Sequence, residues 1–357
     1  TITALARLLT YGGFFWLCLQ TLHTQRRADC LLSAIAIAAG IYSLYGLLMH
    51  LSGARLIFWY PKWDHIESVT GTFPNRNHFA TFTGLGLLCA LAWLAGRLEA
   101  AGTPKRWIDK LLHAPRLRDF AVLAAVPICL AAVVLSLSRA GLVGTLLACV
   151  VFVAGLVFRT GSRGLWAGFA FLAVAGTYLG LGVGGTFDRI AVLLDPEVTD
   201  VRFPAYRQIL SAIADNPWLG VGYGAFEDAF KAYRAPPLEA YFDVAHSTYL
   251  ENALELGLPA AIALWLSIGW LALACLHGFL RRHPGWLYGW TAACATLLVG
   301  THAALDFSLQ IPAVAIAYTA ILATGCSQIW RGTSHRTNAH YGAERSRPDL
   351  RYFDKAT

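Results

Sequence analysis

Charge is what this chain of 357 residues has least of. Only 14% of its residues are Asp, Glu, Lys or Arg, against about 25% in a typical soluble domain. With 57% hydrophobic residues and a mean hydropathy of +0.52, that deficit excludes an ordinary soluble domain and a disordered chain. Paired cysteine motifs are also absent. The 8 cysteines, at positions 18, 30, 89, 129, 149, 275, 294 and 326, all fall inside apolar runs and none forms CxxC. They read as small buried hydrophobes and leave the redox compartment open. The first apolar run lacks a basic leader and a small-residue cleavage site, so no signal peptide is read. No repeat of fixed period is present. The net charge of +7 is better explained by basic membrane loops than by nucleic acid.

Long apolar runs are what the chain does have. A helix needs about 20 apolar residues to cross hydrocarbon. Nine stretches qualify: 2–22, 31–52, 78–96, 119–137, 140–158, 165–184, 257–280, 286–304 and 312–330. Barrel strands alternate every second residue, and these runs do not. The expected fold is therefore all-α, a polytopic transmembrane helix bundle. About six spans lie in 1–184 and about three in 247–330, separated by one large, partly helical loop at 185–246. The Arg-rich segment 331–357 has no apolar period and is expected to be a disordered tail.

Basic residues orient the bundle. Arg26 and Arg27, the segment 97–118, Arg159 and Arg163, Arg281 and Arg282, and the tail from Arg331 hold most of the 28 Lys and Arg. That side is cytoplasmic by the positive-inside rule. The outer side then holds 53–77, the Ser138–Arg139 turn and 185–246. Nine spans ending inside place residue 1 outside. Because the first residue is Thr, further helices are expected upstream. Residues 97–118 are expected to form a short amphipathic helix around Trp107, Ile108, Leu111 and Leu112, lying on lipid head groups.

The segment 185–246 is too long for a turn and too aromatic for a disordered loop. Residues 204–214 have helical spacing, with Tyr206, Ile209, Leu210 and Ile213 on one face, Pro204 in the first turn and Asp215-Asn216-Pro217 as the stop. Gly220, Gly222 and Gly224 then permit tight turns or a ligand close to the main chain. They follow a helix rather than a strand, so a dinucleotide fold is rejected. Phe226–Tyr233 is a second helix candidate. His246 stands where this loop meets the next span, as a cap, an interfacial anchor or a base facing water.

Ionisable residues collect on the outer side. Arg139 sits between two apolar stretches, where an unpaired guanidinium is costly. Arg202 and Arg207 flank Tyr206. Arg76 opens the third span beside Asn75, Asn77 and His78. His302 and Asp306 are four apart and would share a helical face. A cationic pocket here suits a lipid-linked phosphate or pyrophosphate, which guanidinium groups bind bidentately. Ordinary structural pairing, such as Arg202 with Asp200 or Glu239, is the alternative. Asp195, Glu197 and Asp200 are interrupted by Pro196, and no DxD motif occurs in the outer loops, so no metal site is read.

Five stretches carry a resemblance: GTFPNRNHFA at 71–80, SLSRAG at 136–141, Arg202-x3-Tyr206 followed by DNPWLGVGYGAF at 215–226, HSTYLENALELGLPA at 246–260 and HAALDFSLQIPA at 302–313. In order, spacing and sidedness the chain resembles the O-antigen ligase and polymerase superfamily of polytopic membrane glycosyltransferases. The resemblance implies an inverting transferase that takes a glycan from undecaprenyl pyrophosphate at the periplasmic face of the bacterial inner membrane, with neither nucleotide sugar nor ATP; no cofactor is expected, and the leaving-group chemistry calls for no metal. The acceptor would be lipid A–core, another lipid-linked glycan or a protein hydroxyl. Carried over residue by residue, it makes Arg139, Arg202 and His246 catalytic. Arg207, Arg76, Tyr206, Asn77, His302 and Asp306 are substrate-binding candidates. Ser247 stands where family members often have Asn. The rival reading of a different class is a transporter or flippase for a lipid-linked or anionic solute, for which Gly/Pro-broken helices in paired halves are expected; none stand out. A structural membrane scaffold is the third.

Overall fold

The computed structural model describes residues 2–102, 104–113, 116–161, 202–234 and 242–345. The expected span 165–184 and the loop residues Asp195, Glu197, Asp200, Glu239 and Tyr241 lie outside them. Among the described residues the chain is all-α apart from one two-stranded hairpin. In chain order the elements are α1 (Ile2–Thr21), α2 (Gln25–Leu51), β1 (Leu56–Ile57), β2 (Tyr60–Pro61), α3 (Arg76–Ala101), α4 (Pro104–His113), α5 (Leu117–Leu135), α6 (Arg139–Thr160) and α7 (Arg202–Asp215). There follow α8 (Phe226–Phe230), α9 (Thr248–Leu256), α10 (Leu258–Leu280), α11 (Trp286–Ala303), a 3-10 turn (Ser308–Gln310) and α12 (Pro312–Arg345).

Among the described residues, seven helices are long and apolar enough to cross a membrane: α1, α2, α3, α5, α6, α10 and the Pro312–Trp330 part of α12. This is the all-α polytopic bundle that the apolar runs predict. Helix α11, of 18 residues, is not among these seven and packs between α3, α6, α10 and α12. The central stretch of α3 is 89% buried and that of α1 only 6%, so α3 is the axis of the bundle and α1 lies at its edge.

Small residues let the helices approach closely, as packing without a hydrophobic drive requires. A Cβ on Gly86 of α3 would collide with Ala39 of α2, and one on Gly141 of α6 with Ala80 of α3. Buried polar groups find partners across these seams. Ser43 and Thr83 share a 3.3 Å hydrogen bond, and Trp290 Nε1 donates to the Phe152 carbonyl at 2.9 Å.

The basic connections gather at one end. Arg159 stacks on Phe279 and Trp286, Gln328 donates to the Leu22 carbonyl, and Tyr288 donates to Asp29 at 2.7 Å. The amphipathic helix expected within 97–118 is α4, with Ile108 and Leu112 exposed. One expectation changes: α12 keeps a helical backbone to Arg345, across the first part of the segment read as a disordered tail. A helix already nucleated and packed along Pro312–Trp330 extends at low cost, because only the first turn is expensive.

The opposite end carries the hairpin and a cap built from α7, α8 and α9. The hairpin exposes Phe58, Trp59, Tyr60 and Trp63, side chains suited to a membrane–water boundary. The cap has its own core of Ala205, Ile209, Ala212, Ile213, Phe226, Phe230, Phe242, Ala245 and Leu254. The helix expected at 204–214 forms with the expected stop and begins two residues earlier, while the second candidate is shorter than expected, ending at Phe230. Leu210, expected on the packed face, is exposed; Ala205 and Ala212 pack in its place.

Candidate functional site

Asp306 is the centre of the polar network at the cap end. Helix α11 stops at Ala303, so His302 and Asp306 do not share the helical face their spacing suggests. Asp306 instead lies in the turn beyond the helix, with no exposed surface, and His302 is buried beside it. Asn77 Nδ2 donates to Asp306 Oδ2. The Phe307 N–H donates to Oδ1 at 2.7 Å, and His78 Nε2 lies 3.6 Å from Oδ1. Burial pushes the Asp306 carboxyl upward. The nearby His78 and His302 imidazoles and the Phe307 amide outweigh it and hold the group down at about 2.

The network runs outward from Asp306 in two directions. On one side Ser138 Oγ donates to Asn77 Oδ1 at 2.7 Å and accepts from the Gly141 N–H at 3.1 Å, so it caps α6 while holding Asn77. Leu137, at φ 56°, turns the chain sharply before this cap. Arg139 is the first residue of α6 and is exposed. On the other side the Asp306 carbonyl accepts from Thr248 N at 3.3 Å and Thr248 Oγ1 at 3.0 Å. Thr248 opens α9, with Ser247 as its cap.

His246 is two residues earlier, at φ 49°. A non-glycine residue in the left-handed region costs of order 1–3 kcal/mol and persists only where its surroundings over-determine it. Three anchors do so here. Tyr206 OH donates to the His246 carbonyl at 2.8 Å, Thr248 is tied to Asp306, and the Ala245 N–H donates to Glu251 Oε2 at 2.9 Å. The His246 ring meets Phe307 and Phe242 edge-on, with centroids 5.3 and 6.0 Å away.

The cationic candidates divide. Arg76, half-buried at the start of α3, acts electrostatically on His65 together with Lys62 and Asp306. That puts Arg76 on the Asp306 side of the site. Arg207 is exposed on α7 and is outside the network among the described residues. Arg202 opens α7, and its side chain lies outside the description. Tyr206 contacts backbone at His246. The described loop aromatics divide: Phe226, Phe230 and Phe242 are buried in the cap core, Tyr206, Tyr223 and Tyr233 are half-buried, and Trp218 is exposed.

The glycine run serves the cap itself. Gly220 has φ 66°, and a Cβ there would stand 2.5 Å from Gly257 N and Leu254 O. The close approach permitted by Gly220 is thus made by the chain's own backbone at the α9–α10 junction. Val221 and Gly222 N–H groups donate to the carbonyls of Leu254 and Glu255.

Helix α9 carries two buried carboxylates that the sequence reading passed over. Glu251 Oε1 accepts from Gln310 Nε2 at 2.6 Å, in addition to the Ala245 bond. Burial pushes Glu251 up to about 7, helped by Glu255 and Asp243 and opposed by the Ala245 and Gln310 donors. Burial also raises Glu255, against the amides of Gly224, Phe226 and Ala225 that donate to it. A cavity of about 220 Å³ opens beside them, walled in part by Arg7, Tyr11, Tyr223, Trp265 and Gln310. The available signal was Glu251 and Glu255 at i, i+4 in an apolar helix, a spacing that gives both the same face. Lys62, His65, His78, Ser138 and Thr248 were likewise missing from the candidate set. Among the described residues, no group of three His, Cys, Asp or Glu is placed to hold a metal ion.

The fold and this network define a polytopic helical membrane protein with a polar site under a folded loop cap. Residues 124–265 match the family model described as O-antigen ligase, which bears out the resemblance to the O-antigen ligase and polymerase superfamily. The match takes in Arg139, Arg202, Tyr206, His246 and Glu251 and leaves Asn77, His302 and Asp306 outside. No curated protein matches the chain. The match places the protein among glycosyltransferase-type membrane enzymes, for which a lipid-linked glycan donor and a glycan acceptor are implied in general.

Proposed function

We propose that the protein transfers a glycan from undecaprenyl pyrophosphate to an acceptor hydroxyl at the periplasmic face of the inner membrane. The acceptor is lipid A–core, another lipid-linked glycan or a protein side chain. Arg139 and Arg202 bind the diphosphate, with Arg76 in support. His246 takes the proton from the acceptor hydroxyl as its oxygen attacks the anomeric carbon. The bond from that carbon to the diphosphate breaks, its electron pair passes to the phosphate oxygen, and the configuration inverts. Negative charge grows on the leaving diphosphate, so fixed cations favour the transition state over the ground state. The base needs only a neutral imidazole at pH 7. The scheme uses no metal, and transfer is expected to persist in chelator.

The observation that carries this reading is the hydrogen-bonded chain Ser138–Asn77–Asp306–Thr248. It ties the turn bearing Arg139 to the strap bearing His246 although 107 residues separate them in sequence. The test is transfer by purified protein in proteoliposomes, from a polyprenyl-pyrophosphate glycan to a lipid-anchored glycan. Arg139→Ala and Arg202→Ala are each expected to lower kcat by about 100-fold or more while the protein still inserts. Full transfer in both variants would end the diphosphate clamp. In His246→Ala the acidic limb of the residual pH–rate profile is expected to disappear.

A further inference from the structure

We propose that Glu251, braced by Gln310, is a positioning residue that holds His246 in its left-handed backbone conformation. The inference rests on the reading of His246 as the base, and it follows from how the strap 245–248 is held. His246 sits at φ 49°, a conformation that reverts once its anchors are removed. The anchor at the carbonyl end is the Tyr206 hydroxyl, and the one beyond it is Thr248 on Asp306. Before His246 the described anchor is the Ala245 N–H on Glu251. Phe242 and Ala245 pack in the cap core on that side, and among the described residues the directional hold on the strap there is this hydrogen bond to Glu251.

Glu251 is suited to this task and poorly suited to simple packing. Its residue is 5% exposed, and a leucine would fill the same space without the cost of burying a carboxyl group. Both oxygens are engaged, one by Ala245 at 2.9 Å and the other by Gln310 at 2.6 Å. Gln310 lies in the 3-10 turn that follows Asp306. The brace therefore connects the strap to the same turn that presents Asp306 and Phe307, the latter against the His246 ring. Helix α9 thus sets the position of His246 relative to the Asn77–Asp306 network from behind.

The conservative variant separates positioning from charge. In Glu251→Gln the amide oxygen accepts from Ala245 and the amide nitrogen donates to Gln310 after that residue's amide turns over. Glu251→Leu fills the space and removes the acceptor. In the proteoliposome assay Glu251→Gln is expected to keep kcat within about threefold of the native protein. Glu251→Leu is expected to lose about 30-fold in kcat, in line with small displacements of catalytic groups, with both KM values nearly unchanged. In a His246→Ala background Glu251→Leu should cost nothing further, because the group it positions is gone. Native kcat in Glu251→Leu, or an equal loss in Glu251→Gln, overturns the proposal. If Glu251→Leu does not yield monodisperse protein, Gln310→Leu is assayed in its place; a loss of about fivefold in kcat supports the brace and native kcat rejects it.

A second readout needs no activity. Hydrogen exchange followed by mass spectrometry should show faster exchange across 245–248 in Glu251→Leu and native exchange in Glu251→Gln. Unchanged exchange in Glu251→Leu overturns the brace. Absence of any transfer by the native protein, with faster exchange in Glu251→Leu, rejects the functional reading and leaves the brace standing.

Discussion

Between His78 and Ala95, helix α3 buries phenylalanine, leucine, alanine and glycine against the helices around it, α2, α5, α6, α11 and α12 among them. In the cap, α9 buries two glutamates against backbone amides of the loops beside it. The same chain thus solves two packing problems in opposite ways. In hydrocarbon every backbone group must be satisfied within its own helix, so helices there compete only in how closely they approach. The cap joins short helices by turns, which leave N–H groups open. Those groups need acceptors once they are buried, and the acceptors are carboxylates supplied by a helix. The site lies at the border, where helix ends from the bundle meet straps from the cap.

Breaking that border gives the largest expected effect. Asp306→Ala removes the acceptor of Asn77 and of the Phe307 amide together, and with it the carboxylate that faces the buried His78 ring, leaving buried donors unsatisfied. It should destabilise the protein by about 3 kcal/mol, read as a lowered thermal unfolding midpoint in detergent, and abolish transfer. Asp306→Asn sharpens the point through pH. The native carboxyl is held at about 2, below its ordinary 3.8, so its stabilisation is present above the ordinary carboxylate range. It is lost as pH falls toward 2, a contribution of about 2 kcal/mol. Asp306→Asn should lack that acid-dependent loss; equal acid sensitivity in both proteins would contradict the assignment.

Breaking the cap alone comes next. Gly220→Ala places a side chain against the backbone of Leu254 and Gly257 at φ 66°, where neither partner can move aside. A loss of about 2 kcal/mol is expected, seen as earlier proteolysis of the cap while the bundle stays intact. A cap as resistant as the native one would mean that the junction is looser than described. The smallest effect belongs to Leu210→Ser. Leu210 is exposed, so its replacement should shift the unfolding midpoint by less than about 0.5 kcal/mol equivalent. A larger shift would show that Leu210 is packed in the membrane-bound protein.

The bundle was more legible in the sequence than the site. Long apolar runs specify helices whatever their neighbours, and seven of the described helices meet that test by composition. The helix at 204–214 was readable from Ile209, Ile213 and the Asp215-Asn216-Pro217 stop. Leu210 misled because period alone places it on the packed face, whereas alanines at 205 and 212 admit the neighbouring chain more closely. His302 and Asp306 were expected on one helical face, and the end of α11 falls between them. Glu251 and Glu255 went unnoticed because a glutamate near a membrane helix ordinarily faces water.

Residue order alone determined that this chain is a helical membrane bundle and which of its ends is basic. Both follow from local quantities, the length of an apolar run and the charges that flank it. Only the tertiary structure decided that Asn77, Ser138, Thr248 and Asp306 form one hydrogen-bonded unit beside His246, and that, among the described residues, Arg207 is not part of it. A hydrogen bond depends on direction and distance between groups far apart in the chain, and hydrophobic pattern carries information about neither.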